Sequence, residues 1–417
     1  MAQLSDDCFA FGGPLMSVDE AVAIIAARVA AIRDVERVDL MQADGRILAA
    51  DLKAPLPLPP FTNSAVDGYA VRHSDLTAAE AQAFPVTGRV QAGASAQPMA
   101  AGAAMRIFTG APMPDGADTV FMQEDVRLDD EGRVVLPPGL KAGANVRPAG
   151  EDIAQGTAAL QAGQRLRPQD VALIAAFGLT QVDVIRRIRV AVFSTGNELV
   201  SSGDARGAAQ QFDSNRFMLQ ALLRRLGCEV SDLGIIRDDR AALATALQDA
   251  AHAHDLILTS GGVSTGEEDH VKAAVESVGS LVLWRMAIKP GRPVAMGIIS
   301  GTPFIGLPGN PVASFVTFAH VVRPTVLALA GAMQQKLAPM PLRAAFSYTK
   351  KSGRREYVRV NLRRGDDGTL EAIKFPREGA GLLSSLVETD GLVELGEDIT
   401  SVEPGAIVGF LAYANLV

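Results

Sequence analysis

The apolar run Leu256-Ile257-Leu258 leads into Thr259-Ser260-Gly261-Gly262-Val263-Ser264-Thr265-Gly266, and that loop opens the helix-like segment Glu268-Asp269-His270-Val271-Lys272-Ala273-Ala274. Small residues between a strand and a helix let a ligand approach backbone N–H groups at the positive helix end, where phosphate or another oxyanion is favoured. The spacing fits neither GxGxxG nor GxxxxGK(S/T), so the loop is neither a dinucleotide fingerprint nor a Walker loop. Alone, it is also compatible with an ordinary structural turn.

Three further segments carry the same chemistry: Ser194-Thr195-Gly196-Asn197-Glu198, Arg237-Asp238-Asp239 and Gly306-Leu307-Pro308-Gly309-Asn310-Pro311. In the last, Asn310 is placed to cap a helix whose first residue is Pro311. Glu198, Asp238 and Asp269 would share a pocket with Lys289 and Arg292 of Ile288-Lys289-Pro290-Gly291-Arg292-Pro293. Carboxylates among cations suit Mg²⁺, which takes one or two carboxylates plus phosphate oxygens while Lys and Arg neutralise the remaining charge. Taken singly, Asp238-Asp239 also reads as a helix N-cap and Glu198 as an exposed loop carboxylate.

Asn63-Ser64-Ala65-Val66-Asp67-Gly68-Tyr69-Ala70 and the Phe108 to Asp118 segment also stand out. Asp67-Gly68 and Asp115-Gly116 read as turn dipeptides, and spacing alone forces no catalytic role on Asp67 or Thr109. The histidines His73, His252, His254, His270 and His320 have no serine or cysteine nucleophile motif around them, so no triad is indicated.

Four loops converge only if the strands before them are parallel neighbours. From 186 to 335 strands and helices alternate: strand Arg189 to Phe193, helix Ser214 to Leu226 capped by Asp213 or Ser214, strand Glu229 to Ile236 and helix Arg240 to Ala251. Leu256 to Leu258, Leu281 to Trp284 and Pro303 to Leu307 add strands. The βαβαβ order predicts a doubly wound parallel sheet covered on both faces, with ligands at the carboxyl ends of its strands.

The remainder divides around that unit. A capping box at Ser17-Val18-Asp19-Glu20 opens a helix. Pro55, Pro57, Pro59 and Pro60 mark a connector, followed by short strand-like runs Gly68 to Val71, Ala104 to Phe108 and Thr119 to Met122. The expected organisation is a bipartite linker domain (1–54 and 151–185), an inserted β-rich domain (55–150), the doubly wound α/β domain (186–335) and a C-terminal β-barrel or sandwich (336–417).

With 417 residues the chain exceeds one ordinary core, and 48% hydrophobic residues suffice to fill several. A net charge of −8 argues against nucleic acid as partner. Cys8 and Cys228 lack metal-ligand spacing, and no uninterrupted apolar run reaches membrane-spanning length, so a cytoplasmic protein without membrane contact is expected.

The ordered set SAVDGYA, FTGAPMPDGAD, RPAGEDI, FSTGNEL, DSNRFML, LGIIRDD, TSGGVSTGEEDH, AIKPGRP and GLPGNPVASF resembles the molybdopterin molybdotransferase family, MoeA and the gephyrin E domain, over most of residues 15 to 417. The resemblance implies an elongated homodimer with a doubly wound domain akin to the molybdopterin adenylyltransferases and a site shared between subunits. It also implies that adenylylated molybdopterin and molybdate bind with Mg²⁺, the phosphoanhydride is hydrolysed, AMP leaves and molybdenum is placed on the dithiolene. Transient contact with the molybdopterin adenylyltransferase is a further implied partnership.

By motif, Asp238 and Asp269 correspond to the family's metal residues, and Glu198, Asp67, Thr109 and Lys289 to its catalytic ones. Arg285 stands where many members have lysine, keeping charge but changing its geometry. Thr195, Gly196, Asp213, Ser214, Asn215, Ser260, Gly261, Gly262, Ser264, Arg292, Pro308, Gly309, Asn310, Pro311 and Arg359 make up the implied substrate-binding set, and a family serine is replaced by Ala380. Two rival readings are adenylyl transfer from ATP and a scaffold whose pocket no longer turns over.

Overall fold

A computed structural model describes residues 15–77, 80–95, 98–237, 239–262, 270–333 and 337–416. The helix Val18–Arg28 begins at the predicted capping box: the Glu20 amide donates to Ser17 Oγ (3.2 Å) and the Ser17 amide to the Glu20 carboxylate (2.8 Å). It buries Val18, Ala21 and Ile25 in the core that also holds Val322, Val326 and Leu329.

Strand Val35–Asp39 pairs antiparallel with Gln181–Ile185, so the chain leaves the linker and returns to it. Between them lies a four-stranded sheet in the order Val86–Val90, Ala104–Ile107, Gly68–Val71, Thr119–Met122. Gly68 opens its strand, as the Gly68 to Val71 run predicts, and must be glycine because a Cβ there would run into the Phe121 carbonyl of the neighbouring strand. The Asp-Gly dipeptide is a turn signal only where no strand presses so close.

The central sheet has six strands in the order Glu229–Ile236, Arg189–Thr195, Leu256–Ser260, Thr302–Leu307, Pro293–Ile299, Gly279–Arg285. The first four are parallel neighbours. The parallel expectation stops there, since the Pro293 strand runs antiparallel to both of its neighbours. Pro293 at its start and Gly297 within it disguise it as loop. Its signal lay in the next turn: Ser300 and Gly301 have φ of 49° and 92°, the positive pair that a two-residue hairpin needs.

Side chains alternate through the sheet. Val190, Val192, Leu256 and Leu258 pack with Leu219 and Val316 on one face, whereas Ala191, Phe193 and Ile257 pack with Leu243, Leu247 and Val271 on the other. Both faces are therefore dry, which explains why these strands read as continuous apolar runs. The helical run Pro311–Leu329 is long and apolar enough to cross a membrane by composition, but 78% of its most apolar stretch is buried in this core.

The C-terminal strands Arg355–Arg364, Leu370–Lys374, Met340–Ala344, Ile407–Ala412 and Gly391–Leu395 form a closed five-stranded barrel, because the Arg355 strand pairs with both the Leu370 and the Gly391 strands. The short strand Ile288–Lys289, from the hairpin region of the central sheet, adds in parallel to Arg355-Glu356. That pairing stitches the two units together at the carboxyl rim.

Candidate functional site

On the rim, Ser194 is in register with Ser260, and Ser260 with Leu307, so the loops following these strands must touch. The Gly261 amide donates to the Leu307 carbonyl (3.0 Å). Gly261 has φ of +92°, and a Cβ there would lie 2.7 Å from the Thr195 carbonyl oxygen; only glycine lets the loops close this tightly. Gly262 and Gly196 sit in the same contact, the latter beneath the exposed Glu198 carboxylate.

Helix Asn215–Arg225 clasps two of the loops. Asn215 Nδ2 donates to Ser260 Oγ (2.8 Å) and to the Gly309 carbonyl (2.7 Å). Asp213 caps that helix, accepting from the Arg216 amide (3.2 Å) and guanidinium (2.9 Å), while Ser214 is exposed and makes no capping bond. Thr195 Oγ1 and Asn215 Oδ1 are buried without a hydrogen-bond partner. Such atoms cost about 1–3 kcal/mol each, and polar ligand groups arriving at this rim would satisfy them.

Asp239 caps the helix Arg240–Ala253 through the Ala242 amide (2.8 Å). Asp238, Ser264 and Asp269 lie outside the described residues. Among the described residues no group of three His, Cys, Asp or Glu is arranged to hold a metal ion.

Beside the rim, a cavity of about 340 Å³ opens between Lys289-Pro290-Gly291, Pro308, Asn310 and the barrel residues Tyr348, Tyr357, Arg359, Lys374, Arg377 and Ala380. Asn310 makes no side-chain cap, contrary to expectation, and lines this cavity instead; Pro311 opens the helix as predicted. Lys289 donates to the Tyr348 hydroxyl (3.2 Å), which donates to the buried Glu356 carboxylate (2.7 Å). Arg354 donates to the other oxygen of Glu356 (2.7 Å), and Lys289 Nζ is 3.3 Å from Glu356.

Burial works against the Lys289 ammonium, yet its bond to Tyr348 and the Glu356 charge outweigh that and raise it above the ordinary lysine value. Glu356 is likewise opposed by burial and held below the ordinary carboxylate value by Tyr348, Lys289 and Arg354. Arg359 donates to the Gly379 carbonyl (2.9 Å) but its Nε is buried and unpaired, and burial lowers its pKa. The cavity thus presents Lys289, Arg359, Lys374 and Arg377 against one acidic lining residue, Glu378. An anion is the matching guest.

In the inserted domain Thr109 donates both its amide (2.8 Å) and its hydroxyl (2.7 Å) to Asp67 Oδ1, and these bonds lower the Asp67 pKa. Neither residue lines the cavity, nor do Glu198, Arg285 and Arg292, all three of which are exposed. Lys289, Pro308, Asn310 and Arg359 do meet there. Sequence reasoning missed Tyr348, Glu356, Lys374 and Arg377. None of them left a local signal: Glu356 follows Arg354-Arg355 and reads as one charge in a charged run, and only the fold shows that it is buried.

A sheet rim of glycine loops facing a cationic barrel cleft, with a β domain inserted into a bipartite linker, defines a multidomain α/β protein built to bind an anionic ligand. Residues 16–178 match the model of the MoeA N-terminal region (domain I and II), 191–328 that of a probable molybdopterin binding domain, and 341–413 that of the MoeA C-terminal region (domain IV). The chain belongs to the MoeA family. A molybdopterin molybdenumtransferase of Haemophilus influenzae is 36% identical over 405 residues, covering 97% of this chain and 100% of the relative. One from Nostoc sp. is 38% identical over 329 residues, 76% of this chain and 75% of the relative. The crystal structure of the molybdopterin biosynthesis MoeA protein of Pyrococcus horikoshii has a TM-score of 0.82 and 28% identity, covering 96% of this chain and 100% of that one.

Proposed function

We propose that the chain is a molybdopterin molybdenumtransferase, acting in the cytoplasm on adenylylated molybdopterin and molybdate. The observation that carries this reading is the near end-to-end similarity to relatives of that name, over all four regions of the fold. Water cleaves the phosphoanhydride and AMP leaves; as the two dithiolene sulfurs bond molybdenum from molybdate, the cargo rather than a resident ion, one molybdate oxygen departs as water with the two thiol protons.

The residues supply binding and electrostatics, which dominate phosphoryl chemistry. Lys289 and Arg359 take anionic oxygens in the cavity, and Arg292 and Arg285 add cationic charge for the same ligand. Thr195, Gly196, Ser214, Asn215, Ser260, Gly261, Gly262, Ser264, Gly309 and Asn310 receive phosphate and nucleotide at the rim, held in shape by Asp213 and Pro311. Mg²⁺ would be held by Asp238 and Asp269 and neutralise phosphate charge; a site with one or two protein carboxylates is the usual Mg²⁺ arrangement because substrate oxygens complete it. Glu198 serves as a base for water. Asp67 and Thr109 reach the reaction from the inserted domain of a second copy, in a homodimer with two shared sites.

The test follows AMP release and molybdenum content together, with adenylylated molybdopterin, molybdate and Mg²⁺. Both must appear in step. Formation of adenylylated molybdopterin from ATP by the pure protein would instead establish the adenylyltransferase reading.

A further inference from the structure

We infer that Glu356 of the barrel, working through Tyr348, is the positioning residue that holds the Lys289 ammonium in the cavity. Lys289 and Glu356 are direct register partners where the Ile288–Lys289 strand adds to the barrel. Glu356 is only 1% exposed and does not line the cavity, whereas Lys289 and Tyr348 do. Its carboxylate therefore reaches a bound anion only through them.

Burying a carboxylate is costly unless every oxygen is engaged. Here Tyr348 and Lys289 meet one oxygen and Arg354 the other. With two cations sharing one carboxylate, the cluster keeps a net positive charge for the cavity. The Tyr348 ring adds a second restraint, lying 5.7 Å from Lys289 Nζ and 5.4 Å from Lys374 Nζ. A lysine side chain loses rotamer entropy when it is ordered, so an ammonium fixed before the ligand arrives binds it with less to lose. The consequence for turnover rests on the proposed function; the restraint on Lys289 does not.

The experiment has two arms on the full-length protein. In the first, competitive acetylation followed by mass spectrometry reads the titration of Lys289 across pH in wild type, Glu356→Gln and Tyr348→Phe. Lys289 should titrate lower and label faster in both variants. In the second, AMP release is measured for Glu356→Gln in wild-type and Lys289→Ala backgrounds. Loss of kcat/KM by about 10–100-fold is expected in the first background, and no more than about twofold in the second, because a residue acting through Lys289 has nothing left to position.

Unchanged Lys289 titration in both variants, or an equal loss with Lys289 absent, overturns the inference. If Glu356→Gln fails to fold, Tyr348→Phe carries both arms, since it removes one hydroxyl and leaves the ion pairs. A shifted titration in variants of a protein that releases no AMP even as wild type would support the positioning role and sink the functional reading.

Discussion

The sheet rim and the barrel cavity touch one another yet are built on opposite principles. The rim is made of backbone: glycines pack loop on loop, Asn215 ties two loops together, and its polar atoms await a partner. The cavity is made of charge, with Lys289, Arg359 and Lys374 contributed by strands from two units and Lys289 restrained by one buried carboxylate. A rim of this kind recognises shape and hydrogen-bond pattern, whereas such a cavity recognises charge. The division suits a ligand with a directional phosphate and a compact oxyanion.

The sharpest way to separate the two regions is Lys289→Ala. Losing one preorganised cation should lower kcat for AMP release by about 100–1,000-fold, with the melting temperature lowered only slightly, since Tyr348 and Arg354 still engage Glu356. A large stability loss would mean the cavity is scaffold rather than site. On the rim, Asp213→Ala should show the reverse, because it leaves the Arg216 guanidinium, nearly inaccessible to solvent, without one of its partners; denaturant unfolding should register a loss of about 3 kcal/mol. The neighbouring Ser214→Ala should stay within about 0.5 kcal/mol of wild type, since Ser214 makes no capping bond.

A weaker effect, in pH, belongs to the cavity. The depressed Glu356 carboxylate contributes its stability fully above its ordinary value of 4.5 and loses it as pH falls through the lower folded value. The raised Lys289 contributes fully below 10.5 and loses its share as pH rises through the higher folded value. The stability gap between wild type and Glu356→Gln should hold from pH 5 to 9 and narrow in acid, in urea titrations read at each pH. A gap independent of pH would show that packing, not charge, holds the junction.

These contrasts also explain what could be read in advance. The four parallel strands, their loops and the helix after Asp213 announce themselves locally, through apolar runs ended by small residues and caps. The Pro293 strand escaped because its glycine and proline mimic a loop, while the Gly68 to Val71 strand was legible but not the need for its first glycine, which a neighbouring carbonyl, remote in sequence, imposes. Asn310 was read as a cap because its position is right; the cavity claimed its side chain.

Residue order alone determined the doubly wound core, the inserted domain, the glycine-loop rim and the family to which the chain belongs. Those features rest on periodicities and short motifs that span a few turns of chain. Only the tertiary structure decided that Lys289 meets Glu356, 67 positions later in the numbering, and that Asp67 does not line the cavity. Charge pairing across domains depends on which strands add to which edges, a choice made by global packing that leaves no local periodicity to read.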